Sequence, residues 1–222
     1  MTIKEAIEAR HSVRQFADKA ISSETIDKLQ NIIDECNKDG DLHLQLCINE
    51  PEAFQASKPH YGSFENCKNY IAVVARPGKK ERCGYYGEKV VIAAQMLGLN
   101  TCFVALTYEK GKTVYQCNGD EKLQLVIALG YGKTQGIAHK SKDLEKLCSI
   151  NGKAPDWFMS GMRAALLAPT AVNQQKFMIS LDGTVVLAKS LMSIFGNTQF
   201  DLGIVKYNFE IGAGQENFQW AK

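Results

Sequence analysis

Arg10, His11, Ser12 and Arg14 bring two guanidinium groups, an imidazole and a hydroxyl into five consecutive positions of a 222-residue chain. Arginine offers a rigid fork of donors that matches phosphate oxygens, and a nearby serine adds another hydrogen bond. These residue types suit an anion, a phosphate first of all. The plain alternative is a solvated basic helix end, the usual fate of a short charge run. Other chemistries find less support. Cys36, Cys47, Cys67, Cys83, Cys102, Cys117 and Cys148 are odd in number and form no CxxC pair, which argues against a disulfide framework or a zinc site. His11, His43, His60 and His139 make neither HxxxH nor HExxH. The loop 131–141 contains glycines and is closely followed by Lys142, but it spells neither GxxxxGKS nor GxGxxG. No Ser-His-Asp or Cys-His constellation stands out.

The elements that must hold this segment can be read in order. Thr2 and Glu5 form a capping box, and Ile3, Ala6 and Ile7 share one face of a helix ending near Arg10. Ser22 or Ser23 opens a second helix, whose apolar face is Ile26, Leu29, Ile32, Ile33 and Cys36. Asp39-Gly40-Asp41 stops it. Residues 42–48 alternate as a half-buried strand, with His43 on the solvent side. Residues 49–68, with Pro51, Pro59 and Gly62, read as a long loop. Residues 69–75 form a continuous apolar run, as in a strand covered on both faces. A helix is expected from Tyr85 to Leu97, stopped by Gly98, with strands from Thr101 to Leu106 and from Leu123 to Gly130. Asp143–Leu147 reads as a short helix and residues 151–155 as a connector. A helix from Pro155-Asp156 follows, with Phe158, Met162, Ala165 and Leu166 inward. Phe177–Leu181 and Thr184–Ala188 form a hairpin around Asp182-Gly183. A helix from Phe200 to Ile211 closes at Gly212, and the tail 214–222 suggests no partner.

Composition bounds the class. Hydrophobic residues are 45% and charged residues 23%, which is ordinary for a globular chain of one large or two small domains. The net charge of +2 implies neither nucleic acid nor membrane as a partner. Apolar runs such as Val90–Ala94 are too short to cross a bilayer. With no apolar signal core at the N-terminus, a cytoplasmic location is the default expectation.

Four segments resemble the FMN-dependent nitroreductase family. Arg10-His11-Ser12-Val13-Arg14-Gln15-Phe16 is similar to the family's opening R-R-S-x-R-x-F. Ala168-Pro169-Thr170-Ala171-Val172-Asn173-Gln174-Gln175 is similar to its A-P-S-x-x-N-x-Q-P-W loop. Gly98-Leu99-Asn100-Thr101 resembles its G-L-G segment, and Gly130-Tyr131 with Lys140-Ser141-Lys142 resembles its late G-Y-x and K-x-R elements. In ordinary members the second motif comes soon after the first two helices. Here it appears only after residue 150. That order resembles a subgroup in which two degenerate halves are fused into a pseudo-dimer.

The resemblance implies an α/β (α+β) three-layer sandwich, with a mixed or antiparallel central sheet flanked by helices. It implies a first half over 1–150, on the FMN phosphate side, and a shorter second half over 151–222. It implies one FMN at their junction. Arg10, Arg14, Lys140 and Lys142 would surround its phosphate or its ribityl and pyrimidine edge, and Ser12 would add a hydrogen bond. His11 replaces a second arginine. Pro169 and Thr170 would pack on the isoalloxazine and Asn173 would bond to it, while the backbone at Ala105 and Leu106 approaches flavin N5 and O4. The implied activity is ping-pong hydride transfer from NADH or NADPH, through N5, to a nitroaromatic, quinone or similar small-molecule acceptor. The protein would be a monomeric pseudo-dimer or a homodimer. Two other readings remain open: an FMN-binding protein without turnover, and a phosphate-binding module without flavin. Lys176-Phe177 stands where the family has Pro-Trp, and the usual lid insertion is not evident.

Overall fold

The computed structural model describes residues 1–55 and 62–221. Pro59 and His60 of the expected 49–68 loop, and Lys222 of the tail, lie outside the described residues. Helix α1 spans Ile3–Ala9, with both arms of the Thr2/Glu5 capping box in place. Helix α2 spans Ser23–Gly40; the Ser22 side chain accepts from the Thr25 N–H, and Asp41 leaves in the left-handed conformation. Strands β1 (His43–Cys47) and β2 (Asn69–Ala75) follow. His43 is half-buried against Glu121, at 2.8 Å.

Helix α3 spans Lys80–Met96 and so begins one turn earlier than its apolar pattern suggests. Its first turn is charged and carries no periodic signal. Strand β3 is Asn100–Val104, shorter than expected, because the chain turns outward and leaves Leu106 exposed. Strand β4 is Lys122–Gly130. These strands make an antiparallel sheet in the order β1-β2-β4-β3. The apolar run of β2 is divided by the pleat. Ile71, Val73 and Ala75 face the core shared with α2 and α3, while Tyr70, Ala72 and Val74 face a second core that holds Val13 and Phe16.

The second sheet has the order β5-β6-β7-β8. The expected helix at Asp143–Leu147 is only a 3₁₀ turn, Leu144–Lys146, and it leads straight into β5 (Cys148–Ile150). Helix α4 is Asp156–Ala165. Strands β6 (Phe177–Asp182) and β7 (Val185–Ser190) form the Asp-Gly hairpin. Helix α5 is Thr198–Ala213, and the tail adds β8 (Gln219–Trp220) in parallel to β7. Neither β5 nor β8 is visible as a pattern, since both are too short to show alternation. The α+β class holds, with its strands divided between two sheets.

The order helix, antiparallel strand pair, long helix, strand occurs in α2-β1-β2-α3-β3 and again, after β4 and β5, in α4-β6-β7-α5-β8, although β3 pairs antiparallel with β4 and β8 parallel with β7. The two long helices meet at glycines. A Cβ on Gly84 would lie 2.0 Å from the Phe200 carbonyl oxygen, and one on Gly203 would lie 1.9 Å from that of Glu81. Each glycine thus receives the carbonyl one turn before the opposing glycine, the reciprocity of a two-fold contact.

Candidate functional site

The basic segment leaves α1 at Arg10 and runs extended beside β3. Ser12 forms a parallel bridge with Thr101, and the Val13 N–H donates to the Thr101 carbonyl at 3.0 Å. Buried Val13 and Phe16 anchor it, leaving His11 and Ser12 half-buried and Arg14 exposed. Gly136 closes over this segment at φ +77°, and a Cβ there would lie 2.7 Å from the His11 Cβ. An L side chain is disfavoured by both conformation and space.

Far in sequence but facing it is the Ala168–Gln175 loop. The two enclose a cavity of about 570 Å³, within the usual size of a small-molecule site. Arg10, His11, Ser12, Arg14, Ala105, Leu106, Pro169, Thr170 and Asn173 all line it. The structure therefore brings nine of the candidate residues to one place. Lys140 and Lys142 are not among the lining residues. Lys142 Nζ donates to the carbonyls of Gln174 and Gln175 at 2.7 and 3.2 Å. The Lys140 carbonyl accepts from Asn173 Nδ2 and Gln175 Nε2, both at 2.9 Å. The Lys142 ammonium and the Lys140 backbone carbonyl thus brace the loop.

The loop is strained. Val172, Asn173 and Gln175 have φ of 46°, 54° and 43°. A β-branched residue in this region is an outlier, and such strain persists only where surroundings over-determine it. Here they do. Asn173 also accepts from Gln175 Nε2 at 2.8 Å, so its amide ties the loop to Lys140 and to Gln175 with one N–H donor to spare. Asp201, on α5, accepts from the Ala171 N–H at 2.9 Å and from Gln174 Nε2 at 2.6 Å. Burial pushes the Asp201 carboxyl up to about 6. Asp201 also lines the cavity, and sequence reasoning missed it. An acid near a helix N-terminus reads as a partner of the helix dipole. Nothing local says that it reaches a loop 30 residues away.

The electrostatics favour an anion at the basic end. Arg14 makes no side-chain hydrogen bond or ion pair among the described residues. Arg10, by contrast, is 4% exposed, donates to the Leu167 carbonyl at 3.3 Å and lies 3.8 Å from Glu88. Burial raises the Glu88 carboxyl to about 7, against the opposing pull of Arg10. Burial and then Arg10 hold His11 below its ordinary value. His139 brings a second imidazole to the wall, its Nε2 2.9 Å from the Leu166 carbonyl oxygen. The interior is apolar, formed by Cys102, Val104, Leu125, Phe200 and Ile204, and the mouth exposes Leu106, Ile137, Val172 and Phe195. A planar apolar ring with an anionic tail fits this donor set and lining.

The model of one protein family, described as "Putative TM nitroreductase", matches residues 2–213. The chain belongs to this nitroreductase family. No curated protein matches it. A Thermotoga maritima structure described as a putative nitroreductase is 22% identical with a TM-score of 0.66, covering 97% of this chain and 85% of its own. A Desulfovibrio desulfuricans protein, described as a putative nitroreductase in complex with FMN, is 17% identical with a TM-score of 0.53, covering 66% of this chain and 95% of its own. An FMN-dependent nitroreductase of Clostridium difficile is 17% identical with a TM-score of 0.51, covering 64% and 95%. At these identities the structures share the fold. No helix among the described residues is long and apolar enough to cross a membrane.

Proposed function

We propose that this nitroreductase-family chain binds one FMN in the cavity and is an NAD(P)H oxidoreductase for small-molecule acceptors such as nitroaromatics or quinones. The reading rests above all on the meeting of the basic segment with the strained Pro169–Asn173 loop across one apolar cavity. When bound, FMN supplies the hydride chemistry that connects a nicotinamide donor to the acceptor. The chain's own residues bind, orient and shield. Arg14 and Ser12, with Arg10 behind them, face an anionic group. Val104, Phe200 and Ile204 exclude water from the deeper space, and Pro169 and Thr170 form the opposite wall. No nucleophile or general base of the protein is required.

An asymmetry between the halves supports the reading of one cofactor site per chain. The connection from α4 to β6, residues 166–176, is long where that from α2 to β1 is residues 41–42, and the basic segment lies in the first half. We accordingly read 1–150 and 151–222 as the two halves of a fused pseudo-dimer, with β5 of the first completing the sheet of the second. All seven cysteines are free, which accords with the reducing cytoplasm proposed as its location.

The visible absorption spectrum of freshly purified protein, before and after anaerobic NADH or NADPH, tests this. A flavin spectrum that bleaches is expected. A bound flavin that stays oxidised makes the chain a flavin-binding protein without turnover. No flavin even after added FMN removes the reading and leaves the phosphate-binding alternative.

A further inference from the structure

We propose that Asp201 is the positioning residue of this site: one buried carboxylate couples the Ala168–Gln175 loop to the 191–197 loop, so that both close the cavity as a single unit. The proposal rests on the functional reading above in taking the cavity to be the ligand site. Its geometry stands on its own.

Asp201 is 3% exposed; its carboxylate holds the first loop directly and the second through Gln174. Its Oδ1 accepts from the Ala171 N–H at 2.9 Å and its Oδ2 from Gln174 Nε2 at 2.6 Å. The same Gln174 nitrogen donates to the Gly196 carbonyl at 3.0 Å. Both amide hydrogens are thus used, one on each side, and this sets the orientation of the Gln174 side chain. The consequence is visible in Gln174 Oε1, which is buried with no partner among the described residues. An unsatisfied buried acceptor is costly, and a flip of the amide would turn it toward other groups. The flip would abandon both donor bonds, so the pairing with Asp201 holds the amide where it is.

The two anchors on the first loop, Ala171 and Gln174, flank Val172 and Asn173, the left-handed pair. Asp201 therefore grips the strained turn at either end and keeps the Val172 side chain at the cavity wall. Through Gly196 it also fixes the neighbour of Phe195, which lines the cavity from the other loop. An amide in place of the carboxylate cannot reproduce this. Asparagine can accept from Ala171, but its NH₂ then opposes the NH₂ of Gln174. Either two donors face each other, or Gln174 flips and loses Gly196.

The test uses the whole chain as wild type, Asp201→Asn and, as a second break in the same chain of bonds, Gln174→Met. Hydrogen–deuterium exchange of the apoprotein reads the loops, and FMN titration reads the site. Exchange is expected to rise in 168–175 and in 191–197 together in both variants, with the FMN Kd raised by about tenfold or more. The melting temperature of Asp201→Asn at pH 8 should stay within about 3 °C of wild type, because the substitution also removes a buried charge. Opening and stability then move apart, which a purely structural residue would not produce. Unchanged exchange in either loop, or an FMN Kd within about twofold of wild type in both variants, overturns the proposal. So does a general rise in exchange over α5 and the second sheet. If the wild type binds no FMN, the functional reading falls, and the exchange comparison alone still decides whether Asp201 couples the loops.

Discussion

The α2-β1-β2-α3-β3 and α4-β6-β7-α5-β8 units follow one order of elements and meet at reciprocal glycines, yet they differ where the chemistry lies. In the first unit the helix passes to its hairpin through residues 41–42 and the hairpin to its long helix through 76–79. In the second, the same connections are 166–176 and 191–197. Both longer connections line the cavity, and the hydrogen bond from Gln174 to Gly196 joins them. The two units share an order of elements, and the longer connections of the second face the basic segment and the end of β3 from the first across the cavity, on loops where added length leaves core packing intact.

The sharpest break of this comparison is at the crossing of the long helices. Gly203→Ala and Gly84→Ala should each cost more than about 4 kcal/mol in urea unfolding, since a backbone carbonyl occupies the Cβ position in both. Similar losses support a two-fold contact. A wild-type midpoint for either variant removes it. Next is the buried pair beside that crossing. Arg10→Met leaves Glu88 as a buried carboxylate without its cation, at a cost of about 3–5 kcal/mol at pH 8. The loss should shrink towards pH 5, where Glu88 takes up a proton in the folded state. Equal losses at both pH values would mean that Glu88 is not the group left exposed to the change.

The same sign governs the wild type. Glu88 and Asp201 have folded-state values raised to about 7 and about 6, so the folded chain holds their protons more tightly than the unfolded chain does. Their contribution to stability falls as pH rises from the ordinary carboxylate range through these values. His11, with a lowered value, works in the opposite direction in mild acid. A thermal scan should give a higher melting temperature near pH 5.5 than at pH 8, and Asp201→Asn should flatten part of that slope.

Smaller effects separate the two faces of the cavity. Arg14→Ala should weaken FMN by about 1.5–3 kcal/mol, as for one lost charge-assisted bond, with the apoprotein melting unchanged because this side chain is exposed. Unaltered FMN affinity takes Arg14 out of the phosphate site. Asn173→Ala should instead lower apoprotein stability by about 1 kcal/mol, since its amide bridges Lys140 and Gln175. A selective loss of FMN affinity with unchanged melting would assign Asn173 to the ligand rather than to the turn.

The sequence by itself determined what is local. The capping box, the Ser22 cap, the Asp-Gly hairpin and the buried run of β2 each depend on neighbours a few residues away. The basic segment and the Pro-Thr-Ala-Val-Asn loop were legible as motifs for a related reason, since residue types at fixed spacing survive without knowledge of the fold. The tertiary structure alone decided which distant groups meet. Glu88 and Asp201 look like ordinary helix acids until α3 and α5 are buried on nearly all sides, which leaves little amphipathic period to betray them. Lys140 and Lys142 match a motif in type, but in the fold the Lys142 ammonium and the Lys140 carbonyl bond to the loop itself and neither residue lines the cavity. The left-handed φ of Val172 contradicts its own residue preference and occurs in a turn where a carboxylate 29 positions later accepts from Ala171 before and Gln174 after the Val172-Asn173 pair. Strands β5 and β8 are strands only because the edges of a sheet were there to receive them.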